Sequence, residues 1–195
     1  MTRKTWTLVA LLALLGIGGV LLFRPSTPQG VNVAPLVGLE LGEGYRQIER
    51  VKEKLRGEFY EQNTHDGGTR LIIPRRQDGA IYRSIELHQF QKREGALEEY
   101  LSYRATFTEG LSRRLYLERG SQFERYFISY ATTRFDTNHG IPMGIITAPE
   151  ILIGVLKQNL FVSVSYSSYR SRLRWGLDYV PRINEDIEYA RDLLE

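Results

Sequence analysis

Three histidines, His65, His88 and His139, offer the widest choice of chemistry in this chain of 195 residues. Zinc accepts imidazole nitrogens and carboxylate oxygens in a tetrahedral set, and His65 with Asp66, and Asp136 with His139, supply those ligand types. Their spacing matches no ligand motif. His65 and His139 both fall in glycine-containing turns, where an exposed histidine is the ordinary state. The expectation is therefore no metal and no cofactor, with His65, Asp66, Asp136 and His139 kept as the nameable candidates for a hydrolase site that the fold would have to assemble. His88 shares a predicted strand face with Glu86 and is expected to be solvated or packed on an aromatic ring.

Other catalytic signals are missing. Ser163, Ser165, Ser167 and Ser168 lie in or at the end of a predicted strand, and neither a G-x-S-x-G elbow nor S-x-x-K occurs. Neither glycine-rich phosphate signature is present. There is no cysteine, which removes disulfides, thiolate metal sites and a cysteine nucleophile. The carboxylate pairs Glu98-Glu99 and Glu185-Asp186 sit on predicted helices and read as solvated faces. No catalytic residue is assigned.

Aromatic and arginine enrichment is the more distinctive feature. The chain has 12 tyrosines, 8 phenylalanines and 2 tryptophans, and all but Trp6 and Phe23 of these follow residue 24. Tyrosine and arginine are favoured at protein interfaces. The cluster Tyr166, Tyr169, Arg170, Arg172, Arg174 and Trp175 is the expected partner-docking surface, although half-buried tyrosines in a sheet would account for part of the enrichment equally well.

The elements that must position these residues begin at a membrane. Trp6 to Phe23 is a run of 18 residues without a charge, and a helix of that length spans about 27 Å, close to a bilayer's hydrocarbon thickness. Arg3 and Lys4 precede it and Arg24 follows, so the positive-inside rule places the N-terminus in the cytoplasm. The main domain is then extracytoplasmic, most simply in the periplasm beside a bacterial inner membrane. Trp6, Phe23 and Arg24 mark the membrane interface. A cleaved secretory signal is the competing reading, but Val20 to Phe23 prolong the apolar run past the small residues. Those three basic residues also account for the whole net charge of +3, leaving residues 25–195 balanced. A balanced domain argues against a nucleic-acid partner, which calls for a basic face.

Residues 25–44, with three prolines and four glycines, read as an extended tether. Tyr45 to about Tyr60 has helical spacing. Thr69–Arg75 and Ala80–Phe90 flank Gln77-Asp78-Gly79 as a hairpin, with Ile81, Arg83, Ile85 and Leu87 on the core side and Pro74 favouring an edge. Glu94 to Leu117 returns to helical spacing, divided at Gly110. Phe123–Phe135 reads as a central strand covered on both faces, and Ile141–Ile146 as a short returning strand. Thr147–Asn159 leans to helix on a capping box at Thr147 to Glu150, while Ile151, Ile153 and Val155 argue for a strand. Leu160–Ser168 is a strand whose serine face meets water. The rest is helical, kinked at Pro181.

The expectation is an α+β fold: a transmembrane anchor over 1–24, a tether over 25–44, and over 45–195 one domain with an antiparallel sheet packed by helices mainly on one face. The expected function is non-enzymatic docking on a protein partner in the membrane or envelope, as an accessory or assembly subunit of a larger membrane complex. A tethered small-ligand or lipid-binding domain and a hydrolase with a dispersed site are the alternatives.

Overall fold

The computed structural model describes residues 29–41, 48–75, 81–108, 113–131, 134–135, 145–146, 150–168 and 179–195. In chain order the elements are helices α1 (Ala34–Val37) and α2 (Ile48–Lys54), strands β1 (Tyr60–Asn63), β2 (Thr69–Arg75) and β3 (Ile81–Gln89), helix α3 (Arg93–Thr108), strands β4 (Arg113–Gly120), β5 (Glu124–Ala131), β6 (Arg134–Phe135), β7 (Ile145–Ile146), β8 (Glu150–Lys157) and β9 (Leu160–Ser168), and helix α4 (Val180–Leu194). One seven-stranded sheet runs β1-β2-β3-β9-β8-β5-β4, and β6 pairs with β7 apart from it. Every pairing is antiparallel, so the domain is α+β.

Helices cover both faces of the sheet, not mainly one. Strand alternation divides the core accordingly. Ile151, Ile153 and Val155 of β8 and Val162, Val164 and Tyr166 of β9 join Ile183, Ile187 and Ala190 of α4 in one cluster, which also takes in Leu36 of α1 and Val51 of α2. Leu152 and Leu156 of β8 and Phe161 of β9 point the other way and meet Ala96 and Tyr100 of α3. With apolar side chains on both faces, β8 and β9 need a layer on each side.

Several expectations change for local physical reasons. Glu150–Lys157 is a strand, not a helix: its β-branched residues alternate in a ladder with β5 and β9, and the two-residue Gln158-Asn159 turn leads straight into β9. Gln158 takes φ 54° to make that turn. Arg113–Leu117 belongs to β4 because α3 ends at Thr108 and the next apolar residues pair with β5. The serine face of β9 is partly covered, with Phe161 and Ser163 buried below α3 and Ser165 Oγ 2.7 Å from Ser84 Oγ. Pro181 lies in the first turn of α4, where its missing N–H is an orphan in any case, and the helix expected over 169–178 lies outside the described residues. Within the expected tether, residues 29–41 include α1 and bury Val33, Leu36 and Leu39 in the core. Asn184 of α4 holds this segment through the Asn32 N–H and the Gly30 carbonyl.

The helix expected from Tyr45 to about Tyr60 is the shorter Ile48–Lys54, and Tyr60 opens β1, while other readings stand. The β2–β3 hairpin forms, and β9 covers Leu160–Ser168. β5 lies inside the sheet, with Phe127 in one cluster and Ile128 and Tyr130 in the other. β1 pairs only with Thr69–Ile72, so Pro74 lies beyond its reach, where no ladder amide is needed. Among the described residues no helix is long and apolar enough to cross a membrane. The expected anchor and the turn at 136–140 lie outside the described residues.

Phe127 crosses from β5 onto Gly154 of β8, its register partner, and Tyr100 of α3 packs edge-on against the Phe127 ring at 5.3 Å. A Cβ at Gly154 would fall within that buried ring. Gly154→Ala is expected to lower unfolding stability by about 1–3 kcal/mol through overpacking, and adding Phe127→Leu to recover part of the loss. Urea melts of the four chains check this.

Candidate functional site

Alternation along β3 sends Arg83 to the α4 face and Glu86 with His88 to the α3 face, so one strand carries two separate charge clusters. On the α4 side, Asp186 falls on the apolar stripe of its helix and is 1% exposed. The Arg83 guanidinium donates to it twice, Nε to Oδ2 at 2.7 Å and Nη2 to Oδ1 at 2.6 Å. Arg75 of β2 adds Nε to Oδ1 at 3.0 Å and lies over the Tyr189 ring at 3.8 Å. Nη2 of Arg83 also donates to the Arg182 carbonyl. The forked geometry satisfies both carboxylate oxygens away from water.

On the α3 side, Glu86 Oε2 accepts from Arg70 Nη2 at 2.6 Å and from Tyr103 Oη at 2.7 Å, with His88 Nε2 3.0 Å away. Glu99 Oε1 lies 3.1 Å from the other imidazole nitrogen of His88. The His88 ring is boxed by Phe90, Tyr103 and Phe161. Burial alone would raise the Glu86 carboxyl, but the hydrogen bonds from His88 and Tyr103 and the charge of Arg70 bring it down to about 2. Glu99 is lowered chiefly by its hydrogen bond with His88, against a smaller opposing effect of burial. Burial first, then the Glu86 charge and hydrogen bond, push the Tyr103 phenol up. This arrangement holds charges in fixed positions. With the His88 side chain 1% exposed, it joins α3 to the sheet and offers no reacting group to a substrate.

Sequence reasoning left His88 either solvated or packed on an aromatic ring, with Glu86 on its face; the structure shows the second, and Glu99 was not foreseen. It also read both carboxylate pairs as solvated. In each pair one member is exposed and the other turned in: Glu98 at 74% against Glu99 at 22%, and Glu185 at 68% against Asp186 at 1%. Consecutive helix positions differ by about 100°, so neighbours in sequence need not share an environment. The observed register sets Arg70 opposite His88, whereas a two-residue turn at Asp78-Gly79 would have set it opposite Leu87, so the sequence carried no signal for this pairing.

The hydrolase candidates divide. Asp66 binds its own surroundings: Oδ1 accepts from Thr64 Oγ1 and the Gly68 amide, and Oδ2 from the Gln91 and Lys92 amides at the entrance to α3. Burial works to raise its carboxyl, and these hydrogen bonds outweigh it to leave the group below its usual range. His65 packs on Phe90 and lies 3.5 Å from Glu98. Asp136 and His139 lie outside the described residues. Among the described residues no group of three or more histidines and carboxylates is close enough to hold a metal.

Of the expected docking cluster, Tyr166 is buried with its ring 4.4 Å from that of Tyr179, so it belongs to the core and presents nothing to a partner. Alternation of β9 placed it with Val162 and Val164, and that placement outweighs its interface-type chemistry. Tyr169, Arg170, Arg172, Arg174 and Trp175 lie outside the described residues, as do Trp6, Phe23 and Arg24. Among the described residues, two cavities open on the surface. One of about 340 Å³ lies between α2 and the β1–β2 turn, where Gln89 Oε1 accepts from the Ile48 amide. The other, of about 170 Å³, lies where β4, β5 and β8 meet α1.

The two clusters give separate predictions. Glu86 titrates near 2 in the fold against an ordinary 4.5, so its stabilisation is complete above about pH 4.5 and is lost as pH falls towards 2, on the order of 3 kcal/mol in all. Glu86→Gln should lower stability at pH 7 and flatten the acid limb of denaturant midpoints measured from pH 7 to 2. Asp186→Asn leaves the Arg83 and Arg75 charges facing a neutral amide and should cost about 3–5 kcal/mol in urea unfolding. The paired change Arg83→Met with Asp186→Leu should cost less than Asp186→Asn alone.

No protein-family model matches the sequence, and no curated protein does. Among solved structures, the extracellular domain of PknH from Mycobacterium tuberculosis is similar over 85% of this chain and 99% of that chain, at 11% identity and a TM-score of 0.36.

Proposed function

We propose that this chain is a single-pass membrane protein whose extracytoplasmic domain docks on a protein partner, as an accessory or assembly subunit of a larger membrane complex. The observation that carries the reading is the order of its parts: 18 uncharged residues, then a domain whose buried residues begin at Val33. The ten steps from Phe23 to Val33 reach at most about 36 Å, so the domain stays close to the bilayer and its partner lies in the membrane or at its surface. The engagement of Asp66, Glu86, His88 and Asp186 in internal contacts supports binding over catalysis.

The docking segment proposed is Tyr169, Arg170, Arg172, Arg174 and Trp175, between β9 and α4. Its flanks are fixed, since Tyr166 and Tyr179 pack together in the core, and a segment with anchored ends loses less entropy on binding. Apolar residues on both faces of β5 would suit the ligand-binding alternative if they lined a cavity. Those residues are satisfied by α3 on one side and the α1–α4 layer on the other.

Gentle detergent extraction of the full-length chain from its own membrane, followed by native sizing, tests the proposal. A stoichiometric partner should comigrate, and Arg172→Glu with Arg174→Glu should release it without changing the thermal midpoint of the chain. A lone monomer, or a complex indifferent to these changes, contradicts the docking role.

A further inference from the structure

The smaller cavity has an asymmetric charge balance. Register places Arg119 of β4, Tyr126 of β5 and Val155 of β8 side by side, and Glu124 of β5 opposite Lys157 of β8 two residues along. Tyr126 and Val155 belong to the α1-side core, so by alternation Arg119, Glu124 and Lys157 stand on that face too. Val37 of α1 closes one wall of a cavity of about 170 Å³.

Lys157 is unusual within it. Its side chain is 13% exposed, yet its ammonium has Glu124 Oε1 only at 3.9 Å, and Gln158 Nε2 shares that same oxygen at 3.3 Å. The Arg119 guanidinium makes no ion pair or side-chain hydrogen bond among the described residues. Arg125 also lines the cavity, but its guanidinium is turned to the α3 side, over the Tyr100 ring and onto the Ser121 carbonyl; on the α1 side Arg119, Lys157 and the loosely held Glu124 leave a single positive charge over a floor of Val155 and the Tyr126 ring. No carboxylate stands within hydrogen-bond distance of that ammonium among the described residues. Here the place for one is the cavity itself.

We infer that this cavity binds a small monoanion with a short apolar part, that is, a short-chain carboxylate. Its carboxylate lies between the Arg119 guanidinium and the Lys157 ammonium, and its hydrocarbon part lies against Val155, Tyr126 and Val37. One negative charge balances the site, whereas a phosphate dianion would exceed it. The volume is below the 300–1,000 Å³ of drug-sized sites, which limits the occupant to a few carbon atoms. This site is independent of the docking role, because it uses none of the residues proposed for docking.

The test is calorimetric titration of the full-length protein in mild detergent at low salt with butyrate, with butylammonium as the charge control and inorganic phosphate as the competing anion. Butyrate should bind saturably at one site per chain, and butylammonium should not bind. Arg119→Gln and Lys157→Gln should each weaken butyrate by about tenfold or more, the size of a lost charge-assisted hydrogen bond. Arg119 is exposed, so the first variant keeps the fold, which circular dichroism verifies. Absence of saturable butyrate binding, binding unchanged in Arg119→Gln, or tighter binding of phosphate than of butyrate would each overturn the assignment.

Discussion

A carboxylate below a helix, with water excluded, must have a cation against it or become neutral, and Asp186 meets that demand through Arg83 of β3 and Arg75 of β2. The same strand meets the opposite demand on its other face, where Glu86 and His88 face Arg70, Glu99 and Tyr103. Two-residue alternation lets one strand serve both faces without the clusters touching. Each helix layer is thereby bonded to β3 at a defined position, while the apolar contacts around it supply most of the burial energy. A slip of one residue in β3 would bring Arg83 under α3 and Glu86 under α4, so the charges also specify register.

A sheet covered on both faces leaves its edges and the ends of its strands for contact with other molecules. Lys157 pairs with Leu160 at one end of the β8–β9 ladder, and Glu150 with Ser167 near the other. The seven residue steps between them amount to about 23 Å. The anion cavity lies at the first end, and the arginine- and aromatic-rich segment leaves β9 at the second.

Much of this fold was legible because period-two patterns were clean where they mattered. Leu160–Ser168, the β2–β3 hairpin and the inward direction of Arg83 all followed from alternation. The misreadings share a cause, which is that local signals were outweighed by pairing across the sheet. The capping-box pattern at Thr147 to Glu150 competed with the ladder that Ile151, Ile153 and Val155 form between β5 and β9, and the ladder won. Leu111 and Leu115 continued the helical spacing of α3, although Arg113 already belongs to β4. Prolines and glycines made residues 25–44 resemble a tether, yet Val33, Leu36 and Leu39 were enough to bring part of it onto the core. The polar clusters were harder to see, since Glu99 and Asp186 are ordinary helix carboxylates until the facing strand supplies His88 or Arg83. The anion cavity joins residues from three strands and α1, and no local motif marks it.

Face-specific attachment of the helices to β3 is the central physical claim, and native-state amide hydrogen exchange of Asp186→Asn and Glu86→Gln, compared with the parent chain, addresses it most directly. The account predicts that Asp186→Asn selectively lowers protection of the α4 amides and Glu86→Gln that of the α3 amides, beyond any uniform change in global stability. Equal loss in both helices from either substitution, or no change in the helix facing the altered charge, would contradict it.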